Sequence, residues 1–219
     1  MAKIQLVIFD FDGTLIDTAP DLIKATNLYL KDQGFDPLSE TRIRAEIGLG
    51  LRKLILDVYP EAEKSEDTKR KIEHEFLATY DRQFLNAPTL FPGALQFLHE
   101  WDGQIAIVSN KRARYIHPIL EKLEIHKLPW VSIVGGDTYP NMKPHPEPFL
   151  AAINTAGTTP EETLIVGDGT PDVLGALAIG SPMVAVEHGY QNADQLIDLG
   201  AGGKIESFHE LLPYIRAIT

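Results

Sequence analysis

The pentapeptide Asp10–Thr14, which reads Asp-Phe-Asp-Gly-Thr, follows directly on an apolar run and constrains the fold more than any other stretch. The apolar residues of the run, Ile4 and Leu6–Phe9, are typical of a strand buried on both faces of a parallel sheet. Asp10 and Asp12 then stand at its carboxyl end, where open α/β sheets hold ligands. Two residues apart in an extended segment, they point to the same side and pair a nucleophile with an acid/base group. At this point a plain Asp-Gly turn remains the alternative.

Composition excludes several functional classes. The chain has 219 residues, of which 44% are hydrophobic and 23% charged, as in an ordinary globular protein. Its net charge of -11 argues against a nucleic-acid or anionic-membrane surface, so an anionic ligand needs local cations. The absence of cysteine excludes disulfides, thiolate catalysis and cysteine-based zinc sites. Since Met1-Ala2-Lys3 lead into a strand without an apolar signal core, we predict a cytoplasmic protein that neither enters a membrane nor binds nucleic acid.

Helical periodicity dominates the residues that follow the first strand. The predicted helices there are Asp21–Leu30, Thr41–Glu46, Leu51–Tyr59 and Glu66–Phe84. From Asn86 onwards the pattern changes, because Pro88, Pro92 and Gly93 interrupt the chain before another helix at Ala94–Glu100.

Short apolar runs and helical segments then alternate. The predicted strands are Ile105–Val108, Val131–Val134, Leu164–Val166 and Met183–Val186, and the helices are Arg114–Leu123, Glu147–Ala156 and Asp172–Ile179. Alternation of this kind predicts an α/β fold with a parallel sheet covered by helices. Because the first strand belongs to the same sheet, the four-helix segment is an insertion. We therefore predict a core of residues 1–16 and 86–219 and an inserted helical unit of residues 17–85.

Cations and polar groups follow the first strand of the alternating region. Ser109-Asn110-Lys111 supply a hydroxyl, an amide and a cation directly after Val108. Serine or asparagine alone commonly caps the next helix, but a cap needs only one of them. Lys143 lies in a loop before a helix whose start Pro146 marks, and an isolated loop lysine is usually just solvated.

A second pair of carboxylates follows the strand Leu164–Val166. Asp168 lies at the strand end and Asp172 about one helical turn later, in the sequence Gly167–Asp172. Either acid alone is explained as a favourable charge at a helix N-terminus. However, two strand ends now supply carboxylate oxygens, which are the ligands that Mg²⁺ prefers.

In this order the motifs resemble the haloacid dehalogenase-like superfamily of hydrolases and, within it, the phosphoglycolate phosphatase group. The four superfamily motifs are Asp10–Leu15, Ser109, Lys143 and Gly167-Asp168 through Asp172. Each is weak alone, and their order over nearly the whole chain carries the resemblance. The group-level similarity rests on the segments Arg44–Gly50, Val108–Lys111, Gly135–Pro148 and His188–Tyr190.

The resemblance implies a Rossmann-like core with an inserted helical cap, and it implies in-line phosphoryl transfer to Asp10 through an aspartyl-phosphate. Asp12 would protonate the leaving alkoxide and then deprotonate the hydrolytic water. Mg²⁺ would be held by Asp10, the backbone carbonyl of Asp12 and Asp168, with Asp172 in support.

The remaining implied residues bind the substrate. Ser109, Asn110 and Lys143 would neutralise the phosphoryl oxygens, as a loose transition state requires. In the cap, Gly48 and Gly50 would offer backbone contacts, and Arg44 would meet a substrate carboxylate. A solvated surface arginine is an equally good explanation of Arg44.

The implied activity is a Mg²⁺-dependent phosphatase of a small phosphorylated metabolite, phosphoglycolate first, in a monomer or homodimer. Asp12 excludes a dehalogenase, because a halide leaving group needs no proton. A sugar-phosphate phosphatase or phosphomutase, a pyrophosphatase and a non-catalytic binding module stay open as alternatives. The chain departs from the group's usual pattern at Ser109, at Leu49 and at Gly169-Thr170-Pro171, and the last two departures concern the substrate rather than the chemistry.

Overall fold

A computed structural model describes residues 3–59 and 65–219 of the chain. Residues 1–2 of the predicted core and residues 60–64 of the predicted insertion lie outside the described residues. The strands are β1 (Leu6–Phe9), β2 (Ile16–Asp17), β3 (Thr89–Leu90), β4 (Gln104–Val108), β5 (Trp130–Val134), β6 (Thr163–Gly167), β7 (Met183–Val186) and β8 (Gly203–Ile205). Six of them form one parallel sheet in the order β5-β4-β1-β6-β7-β8.

Helices cover both faces of the sheet and fill the insertion. They are α1 (Ala19–Asp32), α2 (Glu40–Arg44), α3 (Leu51–Val58), α4 (Glu66–Tyr80), α5 (Ala94–Glu100), α6 (Ala113–Lys122), α7 (Glu147–Ala156), α8 (Thr170–Ile179), α9 (Ala193–Leu199) and α10 (Leu211–Ile218). In the part of the chain that the structure describes, no helix combines the length and the apolar character needed to cross a membrane.

The first strand shows why the sheet is buried on both faces. Val7 and Phe9 pack into one apolar cluster and Leu6 and Ile8 into another, on opposite sides of β1. Successive side chains of a strand alternate between faces, so a strand covered on both sides must be apolar throughout. β1 lies between β4 and β6, and the residues that follow these three strands therefore meet at one edge of the sheet.

The inserted helices have an apolar core of their own. Side chains of α1 to α4, from Ala19 to Tyr80, form a third cluster, to which the main sheet region contributes Tyr115. The two segments that connect this unit to the core lie side by side. They are β2 and β3, which pair antiparallel through Ile16–Leu90 and Asp17–Thr89. This arrangement supports our proposal that residues 17–85 form a cap on the core.

The element bounds differ from the predictions at several ends. The helix predicted over Glu66–Phe84 ends at Tyr80, because the next turns tighten, with Arg82 N–H donating to Thr79 O and Gln83 N–H to Tyr80 O. The pattern did not predict β2, β3, β8, α9 or α10. The three strands have two or three residues each, too few for alternation to be visible.

Candidate active site

Buried polar side chains from three loops meet at the carboxyl edge of the sheet. Asp10 and Asp12 follow β1, Asp168 follows β6, and Lys143 comes from the loop between β5 and α7. The Nζ of Lys143 lies 2.9 Å from Asp10 Oδ1. The structure thus brings Lys143 to Asp10, from which the sequence separates it by more than a hundred positions.

Lys143 has a complete set of partners. It donates to Asp172 Oδ1 at 2.7 Å and to the backbone oxygen of Val108 at 2.7 Å, besides its ion pair with Asp10. Burial works to lower the pKa of Lys143, but the neighbouring carboxylates of Asp10 and Asp172 raise it above its usual value. The lysine is therefore a fixed positive charge beside the predicted nucleophile.

The three carboxylates form a compact cluster. One oxygen each of Asp10, Asp168 and Asp172 lies within 4.8 Å of the others. Burial, together with the charge of Asp10, raises the pKa of Asp168 and of Asp172 above the usual range of a carboxyl group. The site thus concentrates more negative charge than Lys143 alone can balance, which favours a bound cation.

Hydrogen bonds orient the carboxylates of Asp168 and Asp172. Asp168 accepts from the Thr14 hydroxyl at 2.7 Å and from the Tyr190 backbone N–H at 2.8 Å. The backbone N–H of Gly169 donates to Asp172 Oδ2 at 3.1 Å. Gly13, with φ +84°, approaches Asp168 so closely that a side chain there would overlap the carboxylate. The donor set is made only of hard oxygens and its members are held in place, so it fits Mg²⁺.

The predicted phosphate ligands occupy different positions in the site. Ser109 is buried at the end of β4, and its hydroxyl accepts from the Lys111 N–H at 3.3 Å. The side-chain amide of Asn110 donates to the backbone oxygens of Gly48 and Lys143, both at 3.1 Å. Asn110 Oδ1 is buried and has no hydrogen-bond partner among the described residues. In this conformation the amide group of Asn110 joins the inserted unit to the core.

The loop from Ile47 to Gly50 closes the site from the side of the insertion. Gly48 and Gly50 have φ values of +101° and +88°, which glycine adopts without strain. Together with Asp10, Asp12 and Ser109, this loop lines a cavity of about 20 Å³. A cavity of this size holds about one water molecule. A phosphorylated metabolite therefore needs the loop to move away from Asn110 before it can enter.

Arg44 lies at the junction of the insertion and the core. Its guanidinium stands 3.8 Å from Asp17 Oδ1 and 5.4 Å from the centre of the Tyr190 ring. The side chain is 34% exposed, and it is not among the residues that line the small cavity. Tyr190 in turn donates from its hydroxyl to Asp17 at 2.8 Å and accepts from the backbone N–H groups of Thr18 and Ala19.

Four residues outside the predicted catalytic, phosphate-binding and metal-binding sets contact Asp12 or Asp168. Thr14 and Tyr190 hold Asp168, while Lys111 and Thr18 hold Asp12. Lys111 stands in the segment Ser109-Asn110-Lys111, and its position directly after a strand indicates that it lies near the site. Tyr190 stands in the segment His188–Tyr190 that carries the family resemblance, but its contact with Asp168, 22 positions away, is not visible in any local pattern.

Comparisons with known proteins identify the family of this chain. A family model for haloacid dehalogenase-like hydrolases matches residues 7–186. The chain is a haloacid dehalogenase-like hydrolase. It is similar to a phosphoglycolate phosphatase from Nitrosococcus oceani, with 33% identity over 213 residues and 94% of each chain covered. It is similar as well to a phosphoglycolate phosphatase from Chromobacterium violaceum, with 33% identity over 222 residues, 99% of this chain and 98% of the relative.

A solved structure shows the same fold. It comes from Haemophilus somnus and is described as a predicted phosphoglycolate phosphatase; the TM-score is 0.87, with 29% identity, 98% of this chain and 99% of that chain. The predicted superfamily and its phosphoglycolate phosphatase group are therefore confirmed, as is the α/β fold. This haloacid dehalogenase-like hydrolase is a phosphatase, a phosphoric monoester hydrolase.

Proposed function

We propose that this hydrolase is a Mg²⁺-dependent phosphatase of small phosphomonoesters, with phosphoglycolate as its preferred substrate. The observation that carries the proposal is the buried Asp10 carboxylate, held 2.9 Å from Lys143 and next to two further carboxylates. A nucleophile in that setting is fixed beside a cation that attracts a phosphoryl group. The names of the relatives from Nitrosococcus oceani and Chromobacterium violaceum support the choice of phosphoglycolate.

The proposed reaction has two steps. A carboxylate oxygen of Asp10 attacks phosphorus, and the bond from phosphorus to the leaving oxygen breaks while Asp12 gives that oxygen a proton. A water molecule then attacks the phosphorus of the aspartyl-phosphate and loses its proton to Asp12, and the bond to Asp10 breaks. Ser109 and Lys143 bind the phosphoryl oxygens in both steps, and the backbone N–H of Asn110 assists them.

In this proposal Asp10, the backbone carbonyl of Asp12 and Asp168 hold Mg²⁺, and Asp172 orients Lys143. When bound, the ion neutralises charge on the phosphoryl oxygens. The proposed partner is a small phosphorylated metabolite, as the names of the relatives suggest. A cytoplasmic monomer or homodimer completes the proposal.

The decisive experiment measures phosphate release by the purified protein from a panel of compounds. The panel contains phosphoglycolate, a hexose 6-phosphate, a hexose 1-phosphate and pyrophosphate, each with Mg²⁺ and with EDTA. We expect the highest kcat/KM for phosphoglycolate and loss of activity with EDTA. Preference for a hexose phosphate or for pyrophosphate would overturn the substrate, and inactivity on every compound would overturn the reaction.

Mg²⁺ binding is expected to strengthen as the pH rises. Burial raises the pKa of Asp168 and Asp172, so their carboxyls in the metal-free protein hold protons through a pH range in which the unfolded chain has lost them. The contribution of these two groups to the free energy of unfolding is largest at low pH, and it declines as the pH rises through the raised pKa values. A cation needs the ionised carboxylates, so its affinity should increase up to about tenfold per pH unit between about pH 6 and about pH 8.

Calorimetric titration of the metal-free protein with MgCl₂ at both pH values measures this dependence. Asp168→Asn serves as the reference, because it removes a proposed ligand and should abolish the binding heat at either pH. An affinity that stays constant between the two pH values in the unaltered protein would show that no proton leaves the site.

Arg44→Ala is expected to weaken turnover of phosphoglycolate selectively. We propose that the guanidinium, which is 34% exposed and only 3.8 Å from Asp17, turns to the substrate carboxylate. A hydrogen bond to a charged group contributes about 1.5–3 kcal/mol, or roughly tenfold to a hundredfold in kcat/KM. Hydrolysis of p-nitrophenyl phosphate, which has no carboxylate, should change little.

Arg42→Ala is the matched control, because Arg42 lies on the same helix and pairs with Glu46 instead. Arg42→Ala should leave kcat/KM unchanged for both substrates. Equal losses on both substrates in Arg44→Ala would identify Arg44 as a structural contact of the junction with Asp17 and Tyr190.

A further inference from the structure

Lys111 is a buried cation to which the proposed reaction assigns no role. Its side chain is fully buried, and its Nζ donates to Asp12 Oδ1 at 2.9 Å and, in a longer hydrogen bond, to Asp12 Oδ2 at 3.3 Å. Its other partner is the hydroxyl of Tyr80, at 2.8 Å. Its Nζ is thus held between a carboxylate and a phenol oxygen.

The two oxygens of Asp12 are not equivalent. Oδ1 accepts from the Lys111 ammonium and also from the hydroxyl of Thr18, in a short hydrogen bond. An oxygen that already accepts from two donors cannot carry a proton itself without displacing one of them. Any proton that Asp12 exchanges therefore resides on Oδ2.

Tyr80 fixes Lys111 from the side of the inserted helices. It is the last residue of α4, and its ring packs 4.9 Å from the ring of Tyr115 and stacks on Phe76. The Lys111 ammonium also lies 5.3 Å from the centre of the Tyr80 ring and 5.9 Å from that of Phe11. A lysine held in this way has one accessible position rather than the many of a solvated lysine.

We propose that Lys111 is a positioning residue for the acid/base group, and that Tyr80 holds Lys111 in place. The ammonium and the Thr18 hydroxyl fix the carboxyl of Asp12 through Oδ1 and leave Oδ2 to exchange the proton. In the first step Oδ2 gives its proton to the leaving oxygen as the bond to phosphorus breaks. In the second step Oδ2 takes a proton from the attacking water, so Asp12 returns to its starting state.

The inference rests on the proposed function and makes a distinct kinetic prediction. Glycolate leaves as an alkoxide and needs the proton from Asp12, whereas p-nitrophenolate leaves without one. The parameter kcat/KM reports only the first step, up to release of the leaving group. A misplaced Asp12 therefore lowers kcat/KM for phosphoglycolate and hardly changes it for p-nitrophenyl phosphate.

The test uses Lys111→Met, which keeps the length of the side chain and removes its charge, and Tyr80→Phe, which removes only the hydroxyl. For Lys111→Met we expect kcat/KM for phosphoglycolate to fall about a hundredfold and that for p-nitrophenyl phosphate less than about fivefold. Because water activation is impaired as well, p-nitrophenyl phosphate should give a burst of about one equivalent of p-nitrophenolate per enzyme. Tyr80→Phe should also lower kcat/KM for phosphoglycolate more than that for p-nitrophenyl phosphate, but by a smaller factor.

Tyr115→Phe is the matched control. Tyr115 is a buried neighbour of Tyr80 whose hydroxyl donates to Asp81 at 2.6 Å instead of binding Lys111. It should keep the ratio of the two kcat/KM values of the unaltered protein. Asp12→Asn removes the acid/base group itself, so its loss of kcat/KM for phosphoglycolate is the largest that Lys111→Met can reach.

The outcomes separate the two proposals. Equal losses on both substrates in Lys111→Met and Tyr80→Phe, without a burst, would overturn the role of Lys111 and leave the proposed function standing. If Lys111→Met does not fold, Tyr80→Phe alone decides: an unchanged ratio of its kcat/KM values for the two substrates would overturn the role of Lys111. Inactivity of the unaltered protein on both compounds would overturn the proposed function itself, and the inference with it.

Discussion

Asp10→Asn is expected to lower phosphatase turnover by about 10⁴- to 10⁶-fold, the scale of losing a nucleophile. An amide does not attack phosphorus, and it binds a divalent cation less well than a carboxylate. The fold should persist, because the substitution relieves repulsion among three buried carboxylates and keeps an oxygen able to accept from Lys143. Initial rates with phosphoglycolate and a thermal unfolding curve measure the two quantities.

Asp102→Asn makes the same chemical change at an exposed position and should retain full activity. Residual turnover of Asp10→Asn within about tenfold of the unaltered protein would remove Asp10 from the role of nucleophile. To exclude deamidation back to aspartate, the purified variant is checked by intact mass before the assay.

Lys143→Met is expected to destabilise the metal-free protein by about 3–5 kcal/mol, as removal of one partner from a buried ion pair does. The substitution leaves Asp10 and Asp172 without their shared cation and the Val108 carbonyl without its donor. The destabilisation should be larger at about pH 8 than at about pH 5, because burial raises the pKa of Asp172 and its carboxyl is neutral at the lower pH. Urea denaturation in the presence of EDTA measures the free energy of unfolding at each pH.

Lys204→Met is a matched control with the same number of carboxylate partners, Glu187 and Asp194, on an exposed surface. Its loss of stability should be much smaller, since exposed ion pairs contribute little. If the two substitutions cost the same, the carboxylates around Lys143 would be solvated rather than buried.

Several features of this hydrolase were predictable because they depend on local patterns. The apolar run before Asp10 predicts a strand buried on both faces, and β1 lies between two parallel neighbours. The strand-end positions of Asp10, Asp12 and Asp168 predict that their side chains meet, and the structure brings Asp10 and Asp168 into one cluster. The short strand β8 and the ribbon of β2 and β3 were not predictable, because two or three residues show no periodicity.

Other features depend on contacts between distant segments, which no local pattern reports. Asn110 was predicted to bind phosphate, but its side-chain amide reaches Gly48, 62 positions away in the insertion. Lys111 meets Asp12 across 99 positions and Tyr80 across 31. Tyr190 reaches both Asp168 and the junction at Asp17 from a loop that follows β7.

The sequence by itself determined which residues stand at the strand ends, and hence the class of chemistry. An apolar strand followed by carboxylates is stable in the middle of a parallel sheet with the carboxylates at its carboxyl edge. The order of the motifs can be read directly from the sequence. Only the tertiary structure decided which oxygen of Asp12 is held, which cation serves Asp10 and which serves Asp12, and how the loop at Gly48 closes the site. These contacts depend on how separate helices and loops pack within a few tenths of an ångström, and burial makes each of them specific because an unpaired polar group there is costly.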